Sequence, residues 1–295
     1  MPRVEANGIH IEYETIGEPN RPPLLLVAGV GGQLIGWPDP FCDQLAGRGF
    51  LVVRFDNRDC GLSTKIEGGP EPDPVAAYFG DASSASYTLD DMADDAAALL
   101  DALGMEAAHV VGRSLGGMIA QAMAIRHPER TLSLGCISSS TGDPTVGQPT
   151  PEGLAVLARP AATTREEFVE GDVAAHRVLG SRRYPVDDDD RRRQAGRCYD
   201  RAHCPEGTAR QLCAVIVSGD RTEGLSRLTL PTVVVHGTDD VLVHPSGGEA
   251  TAKAVPGAEL VMIEGMGHDL PPAVWPTIVD SVVANAARAG GGQRR

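Results

Sequence analysis

Three residue types scattered along the chain could together break an acyl bond. A serine hydroxyl is too weak an acid to attack a carbonyl unaided, so it needs an imidazole base, and the base needs an orienting carboxylate. The serine is Ser114, set in Gly112-Arg113-Ser114-Leu115-Gly116 with a further Gly117. A sharp turn there would strain the serine backbone, and glycines on either side would let the flanking elements pass closely. For the base, Gly265-Met266-Gly267-His268 puts His268 on a loop, whereas His109 and His236 fall within apolar runs, His127 precedes a proline, and His10, His176 and His203 lie elsewhere. His244 is the rival on a loop. For the carboxylate, Gly237-Thr238-Asp239-Asp240 offers Asp240, with Asp239 as the alternative.

These residues become a site only if the elements around them converge. Pro23–Ala28 and Phe50–Phe55 are continuous apolar runs, the pattern of strands covered on both faces, and His10–Ile16 alternates like an antiparallel edge strand. Leu89, Met92, Ala96, Leu99, Leu100 and Leu103 share one helical face, with Thr88 to cap it and Gly104 to end it. The run His109-Val110-Val111 then leads through Gly112 into Ser114 and a helix that ends at His127-Pro128, followed by a strand over 132–137. Thr232–His236 and Glu259–Ile263 read as two more strands, and a helix over roughly 273–287 follows. Alternating strands and helices predict an α/β fold with a mostly parallel, doubly wound sheet, whose ligands sit beyond the carboxyl ends of the strands. Ser114, Asp240 and His268 each follow such a strand.

Residues 141–226 break this pattern with proline, glycine and charge, including Asp187 to Arg193, which reads as a solvated helix start. They predict an insertion into a core made of 1–140 and 227–288, and the Gly-Gly-Gly-Gln-Arg-Arg end predicts a disordered tail over 289–295. No stretch approaches the roughly 20 apolar residues that cross a bilayer, and the first residues lack a secretory apolar run, so a cytoplasmic protein is expected. The six cysteines form no C-x-x-C pair and are expected to be reduced thiols; the spacing of Cys198, His203, Cys204 and Cys213 does not match zinc ligands, so no metal is expected. A formal charge of −14 argues against nucleic acid or an anionic membrane as partner and disfavours a highly anionic substrate. Nothing in the sequence speaks to the oligomeric state.

From about residue 3 to 288 the chain resembles the α/β-hydrolase superfamily, in which nucleophile, acid and histidine follow in that order, as Ser114, Asp240 and His268 do. Asp56-Asn57-Arg58-Asp59-Cys60-Gly61-Leu62-Ser63 resembles its D-x-R-G-x-G-x-S loop, with Asp59 where glycine is more common. That departure and Gly36-Trp37-Pro38 resemble the aclacinomycin methylesterase branch, which acts on polyketide antibiotics. The resemblance implies a cofactor-independent hydrolase that cleaves a carboxylic ester through an acyl-enzyme, a small-molecule methyl ester of a polyketide-like product in particular. A lactonase, carbon–carbon hydrolase or perhydrolase using the same triad, or a silent binding protein, are the alternatives; a dehalogenase or epoxide hydrolase would need a carboxylate where Ser114 stands. Ala28-Gly29-Val30 replaces the family's His-Gly loop, which implies that the oxyanion hole is formed by the backbone N–H groups of Val30 and Leu115. The insertion is expected to cap Ser114 and shape the pocket, with Trp37, Tyr78 and Tyr199 as candidate lining residues. Arg113 stands where relatives place histidine or another uncharged residue. It is expected either to pair with a carboxylate in the insertion or beneath the turn, or to bind a substrate carboxylate or carbonyl.

Overall fold

The computed structural model describes residues 2–290. In chain order the elements are β1 (Arg3–Ala6), β2 (Ile9–Ile16), β3 (Pro23–Val27), α1 (Asp39–Gly47), β4 (Leu51–Phe55), α2 (Pro74–Tyr78), α3 (Leu89–Ala102), β5 (Ala108–Arg113), α4 (Leu115–Arg126) and β6 (Thr131–Ile137). Then come α5 (Pro151–Leu157), α6 (Arg165–Leu179), α7 (Asp188–Arg201), α8 (Pro205–Val217), α9 (Thr222–Ser226), β7 (Thr232–Gly237), α10 (Ser246–Ala254), β8 (Glu259–Ile263) and α11 (Trp275–Gly290). The strands make one sheet in the order β1-β2-β4-β3-β5-β6-β7-β8, antiparallel at β1-β2 and β2-β4 and parallel thereafter.

The parallel strands β3 to β7 are mainly apolar because both faces are covered, while β8 at the edge is only half buried. Alternate residues divide between two clusters: Val110 packs with Leu89, Leu99, Ile119 and Met123 on one face, and Val111 packs with Phe41, Met266, Leu270 and Ile278 on the other. Helix α3 starts where expected, since the Thr88 N–H and hydroxyl both donate to Asp91 Oδ2 at 2.8 Å, and Gly104 beyond it takes φ +68°.

Three expectations change. The strand over His10–Ile16 is antiparallel but not the sheet's edge: the short β1 pairs outside it through an Asn7-Gly8 turn with φ +50° and +74°, the chemistry of a two-residue hairpin. The last helix runs to Gly290, so a tail cannot begin at 289; residues 291–295 lie outside the described residues. Within 141–226, α6 and α7 are a distinct pair, stapled by Arg191 to Asp172, Arg192 to Glu170 and Arg165 to Asp200. Ala214 of α8 and Leu225 of α9, by contrast, are fully buried in the main core cluster, so the end of the segment belongs to the core's own packing. No helix among the described residues is long and apolar enough to cross a membrane.

Candidate active site

Ser114 sits between the end of β5 and the start of α4 with φ 56° and ψ −124°, a conformation unfavourable for a residue with a side chain. The turn is held from several sides. The Ser114 N–H donates to the Ile137 carbonyl at 2.9 Å, and the Ser139 hydroxyl donates to the Ser114 carbonyl at 2.9 Å. A Cβ on Gly112 would lie 1.9 Å from the Gly116 carbonyl oxygen, and one on Gly116 would lie 2.0 Å from the Val27 oxygen, so strand and helix meet backbone to backbone. Glycine is required at both positions.

Ser114 Oγ and His268 Nε2 are 3.0 Å apart, and His268 Nδ1 is 2.7 Å from Asp240 Oδ2. Asp240 is buried, and its Oδ1 accepts the Leu242 and Val243 N–H groups at 2.9 Å each. Burial alone would raise its carboxyl pKa. Attraction to His268 and hydrogen bonds from His236 and His268 outweigh that and hold it well below the usual carboxylate range. Asp240 is therefore charged and fixed, and a hydrogen bond from Nδ1–H to it leaves the His268 Nε2 lone pair facing the serine.

The other histidines and Asp239 are disposed differently. Asp239 is exposed and accepts from the Thr238 hydroxyl at 2.9 Å, and His244 lies 2.9 Å from the Ser246 hydroxyl. His109, in β5, contacts Ser133 Oγ at 2.8 Å. His236 is fully buried in β7, with Nε2 at 2.8 Å from the Val243 carbonyl and 3.5 Å from Asp240 Oδ2, which makes it a support for the carboxylate.

Opposite the serine, the 28–33 loop brings Val30 beside α4. Among the described residues no acceptor takes the Val30 or Leu115 N–H, and the positive end of the α4 dipole points the same way. Three side chains that the sequence did not single out position this end of the molecule. Asn57 donates to the Ala28 carbonyl at 3.1 Å; Gln211, in α8, accepts the Gly31 N–H at 2.8 Å and donates to the Arg58 carbonyl at 2.8 Å. Ser181 accepts the Gly267 N–H at 2.9 Å, and the His268 N–H donates to the Leu179 carbonyl at 2.7 Å, so the chain following α6 grips the histidine loop. Isolated polar residues, whether in loops or on a helix, carry no periodic signal, which is why none stood out.

The candidate lining residues separate. Trp37, a candidate substrate contact, is buried and stacked on Phe41 with ring centroids 5.7 Å apart, part of the apolar cluster on one face of the sheet. It caps a short helical turn over Leu34–Gly36. Tyr78 is exposed on α2. Tyr199 stacks on His203 at 4.6 Å, beside Phe168. Phe168 and His203 border a cleft of about 360 Å³ that also touches Gly31 and Gln33 of the 28–33 loop. Asp59 takes φ +65° and accepts two hydrogen bonds from Arg210 of α8, at 2.8 and 2.9 Å, which accounts for an aspartate where glycine is usual. For Arg113 the expected ion pair is absent among the described residues. Its surroundings are the like charge of Arg191, itself paired with Asp172, and the carboxylates of Asp269 and Asp240.

The family model described as the alpha/beta hydrolase fold matches residues 22–271. A rhodomycin D methylesterase of Streptomyces sp. (strain C5) is 33% identical, with 94% of each chain covered, and one of Streptomyces peucetius is 32% identical over the same shares. Among solved structures, the enol-lactonase of Burkholderia xenovorans LB400 superposes with a TM-score of 0.74 at 22% identity, covering 97% of this chain and all of that one. The chain belongs to the α/β-hydrolase family.

Proposed function

We propose that this member of the α/β-hydrolase family is a cofactor-independent serine hydrolase that cleaves a carboxylic ester, and that Ser114, His268 and Asp240 are its catalytic groups. The observation that carries the reading is the continuous chain from Ser114 Oγ to His268 Nε2 at 3.0 Å and from Nδ1 to Asp240 at 2.7 Å. His268 Nε2 takes the hydroxyl proton as Oγ attacks the ester carbonyl, and the Val30 and Leu115 N–H groups receive the oxyanion. As the tetrahedral intermediate collapses, the imidazolium returns its proton to the leaving alcohol, giving an acyl-enzyme. Water then attacks the acyl carbon by the same route, releasing the acid and free Ser114. Asp240 stays ionised throughout and stabilises the imidazolium.

The names of the two Streptomyces relatives support a methyl ester, and the resemblance to their branch supports a polyketide-like acyl part. Helices α5 to α7 are the cap of this reading: α6 and α7 border the cleft beside the 28–33 loop and would exclude water from the acyl-enzyme. The acidic charge supports a small molecule over nucleic acid as partner, and six unpaired cysteines support a cytoplasmic setting.

The test is labelling by a fluorophosphonate together with hydrolysis of a panel of methyl, aryl and lactone substrates. Labelling abolished by Ser114→Ala and methyl-ester cleavage lowered at least about 100-fold by His268→Ala are expected from the scale of general-base catalysis. Retained activity in His268→Ala would remove His268 as the base, and preferential cleavage of the lactones would replace the methyl ester as the substrate class.

A further inference from the structure

The loop that carries His268 is held from two sides, and the two sides come from different parts of the chain. From the core, the Asp239 N–H donates to the Met266 carbonyl at 2.9 Å, and the Trp275 indole N–H donates to the Leu270 carbonyl at 2.9 Å. These bonds fix the ends of the loop. Between them the loop is held by residues 179–181, the end of α6 and the chain just after it, all within the insertion. The His268 N–H donates to the Leu179 carbonyl at 2.7 Å, and the Gly267 N–H donates to Ser181 Oγ at 2.9 Å. The Ser181 hydroxyl and N–H both donate to Asp269 Oδ1, the N–H at 3.0 Å. One serine thus bonds to the residue before the histidine and to the residue after it. The two segments also meet backbone to backbone, since a Cβ on Gly267 would lie 2.4 Å from the Leu179 carbonyl oxygen and 2.7 Å from the Gly180 carbonyl carbon.

Burial makes this grip hard to replace. Gly267, Ser181 and Asp269 are all buried. Asp269 Oδ2 has no hydrogen-bond partner among the described residues, and His176 Nε2 stands 3.8 Å from it, too far for a hydrogen bond. The hydrogen bonds on the carboxylate therefore come from Ser181 alone among the described residues. Without the Ser181 hydroxyl, the Gly267 N–H would lose its acceptor and the carboxylate one of its two donors, so the loop could satisfy them only by moving. The imidazole hangs from this backbone by a single Cβ, and both of its contacts, Nε2 to Ser114 Oγ at 3.0 Å and Nδ1 to Asp240 at 2.7 Å, depend on where the backbone stands. We propose that Ser181 is a positioning residue for His268, so that the insertion sets the rate of the chemical step as well as covering the site. The inference rests on Ser114 and His268 being nucleophile and base, and it adds a residue of the insertion to the groups on which their reaction depends.

The test reads how fast a fluorophosphonate labels Ser114, a reaction in which His268 takes the hydroxyl proton. Displacing a reacting group by about 1 Å can cost about 100-fold, and an interaction that serves only the chemical step lowers the limiting rate while leaving binding alone. Well below each variant's unfolding temperature, the limiting labelling rate of Ser181→Ala should fall at least about tenfold, with the half-saturating probe concentration little changed. Ser181→Thr keeps the hydroxyl and should recover most of the rate. A Ser181→Ala that melts earlier but labels at the wild-type rate overturns the proposal, because the hydroxyl then serves the fold alone; so does a Ser181→Thr as slow as Ser181→Ala. If Ser181→Ala does not fold, Ser181→Cys takes its place: the thiol fills the space but bonds weakly, so the same slowing is expected and an unchanged rate refutes the role. A wild type that takes no label removes Ser114 as the nucleophile and this inference with it, whereas a labelled wild type matched by Ser181→Ala removes Ser181 only.

Discussion

Replacing Asp59 by glycine, the residue more common at this place in the family, should destabilise this chain. The side chain of Asp59 is fully buried and accepts two hydrogen bonds from Arg210, at 2.8 and 2.9 Å, as well as the Ile66 N–H at 2.8 Å. Glycine would leave the Arg210 guanidinium buried and without its carboxylate, a loss that costs about 3–5 kcal/mol in buried pairs. Against this, glycine would relieve the φ of +65°, worth roughly 1–2 kcal/mol for a residue with a side chain. Glu206 lies 3.7 Å from Arg210 and is exposed, so it returns little of the loss. The net is a destabilisation of about 1–4 kcal/mol. At roughly 2–4 °C per kcal/mol for a chain of this size, Tm should fall by about 2–16 °C in calorimetry. The double variant Asp59→Gly, Arg210→Met should recover much of that, because no charge is left unpaired. A neutral or stabilising Asp59→Gly, or a double variant worse than the single, would refute the argument that Arg210 is what requires the aspartate.

Asp240→Asn should lower kcat for methyl-ester cleavage by about 10³–10⁴-fold with little change in fold, because the amide no longer fixes the imidazole tautomer or balances its charge; a loss under tenfold in a steady-state assay would remove Asp240 from the mechanism. Burial pushes the His109 imidazole down to about 4 from an ordinary 6.5. The unfolded chain therefore binds the extra proton first, so the stability contributed by neutral His109 is complete above about pH 6.5 and drains away as pH falls to about 4, by about 3 kcal/mol. Urea unfolding from pH 7 to pH 4 should show that slope in the wild type, and His109→Gln should flatten it by a similar amount; parallel curves would contradict the assignment.

What could be read from the sequence is what periodicity and strand ends encode. The apolar runs that became β3 to β7 announce themselves because both faces of a parallel sheet must be apolar, and three residues placed just after such strands had to converge. The triad candidates could be read for that topological reason, although Ser114 and His268 are 154 positions apart. The grip on them could not. Ser181, Gln211 and Asn57 hold the histidine and glycine-rich loops through a few hydrogen bonds from irregular or helical segments, and a lone serine or glutamine gives no pattern to detect. Strand β1 was missed for a different reason. Its four residues include one buried residue, Ala6, so no apolar run marks it, and the Asn7-Gly8 step was the only local sign of the hairpin.

Two charged residues depart from the family's usual pattern, and the structure gives them opposite explanations. Asp59 and Arg113 both stand where an uncharged residue is common, and both are brought against the same α6 to α8 region. Asp59 is answered inside the chain by Arg210, from a position 151 residues later, so its departure is settled by a compensating residue and needs no ligand. Arg113 has no such answer: Arg191 of α7 repels it, and Asp269, which attracts it, is held by Ser181. A chain can compensate a buried charge with its own residues or with a ligand, and these costs are of similar size. Arg113 is thus the departure that no described residue of this chain compensates.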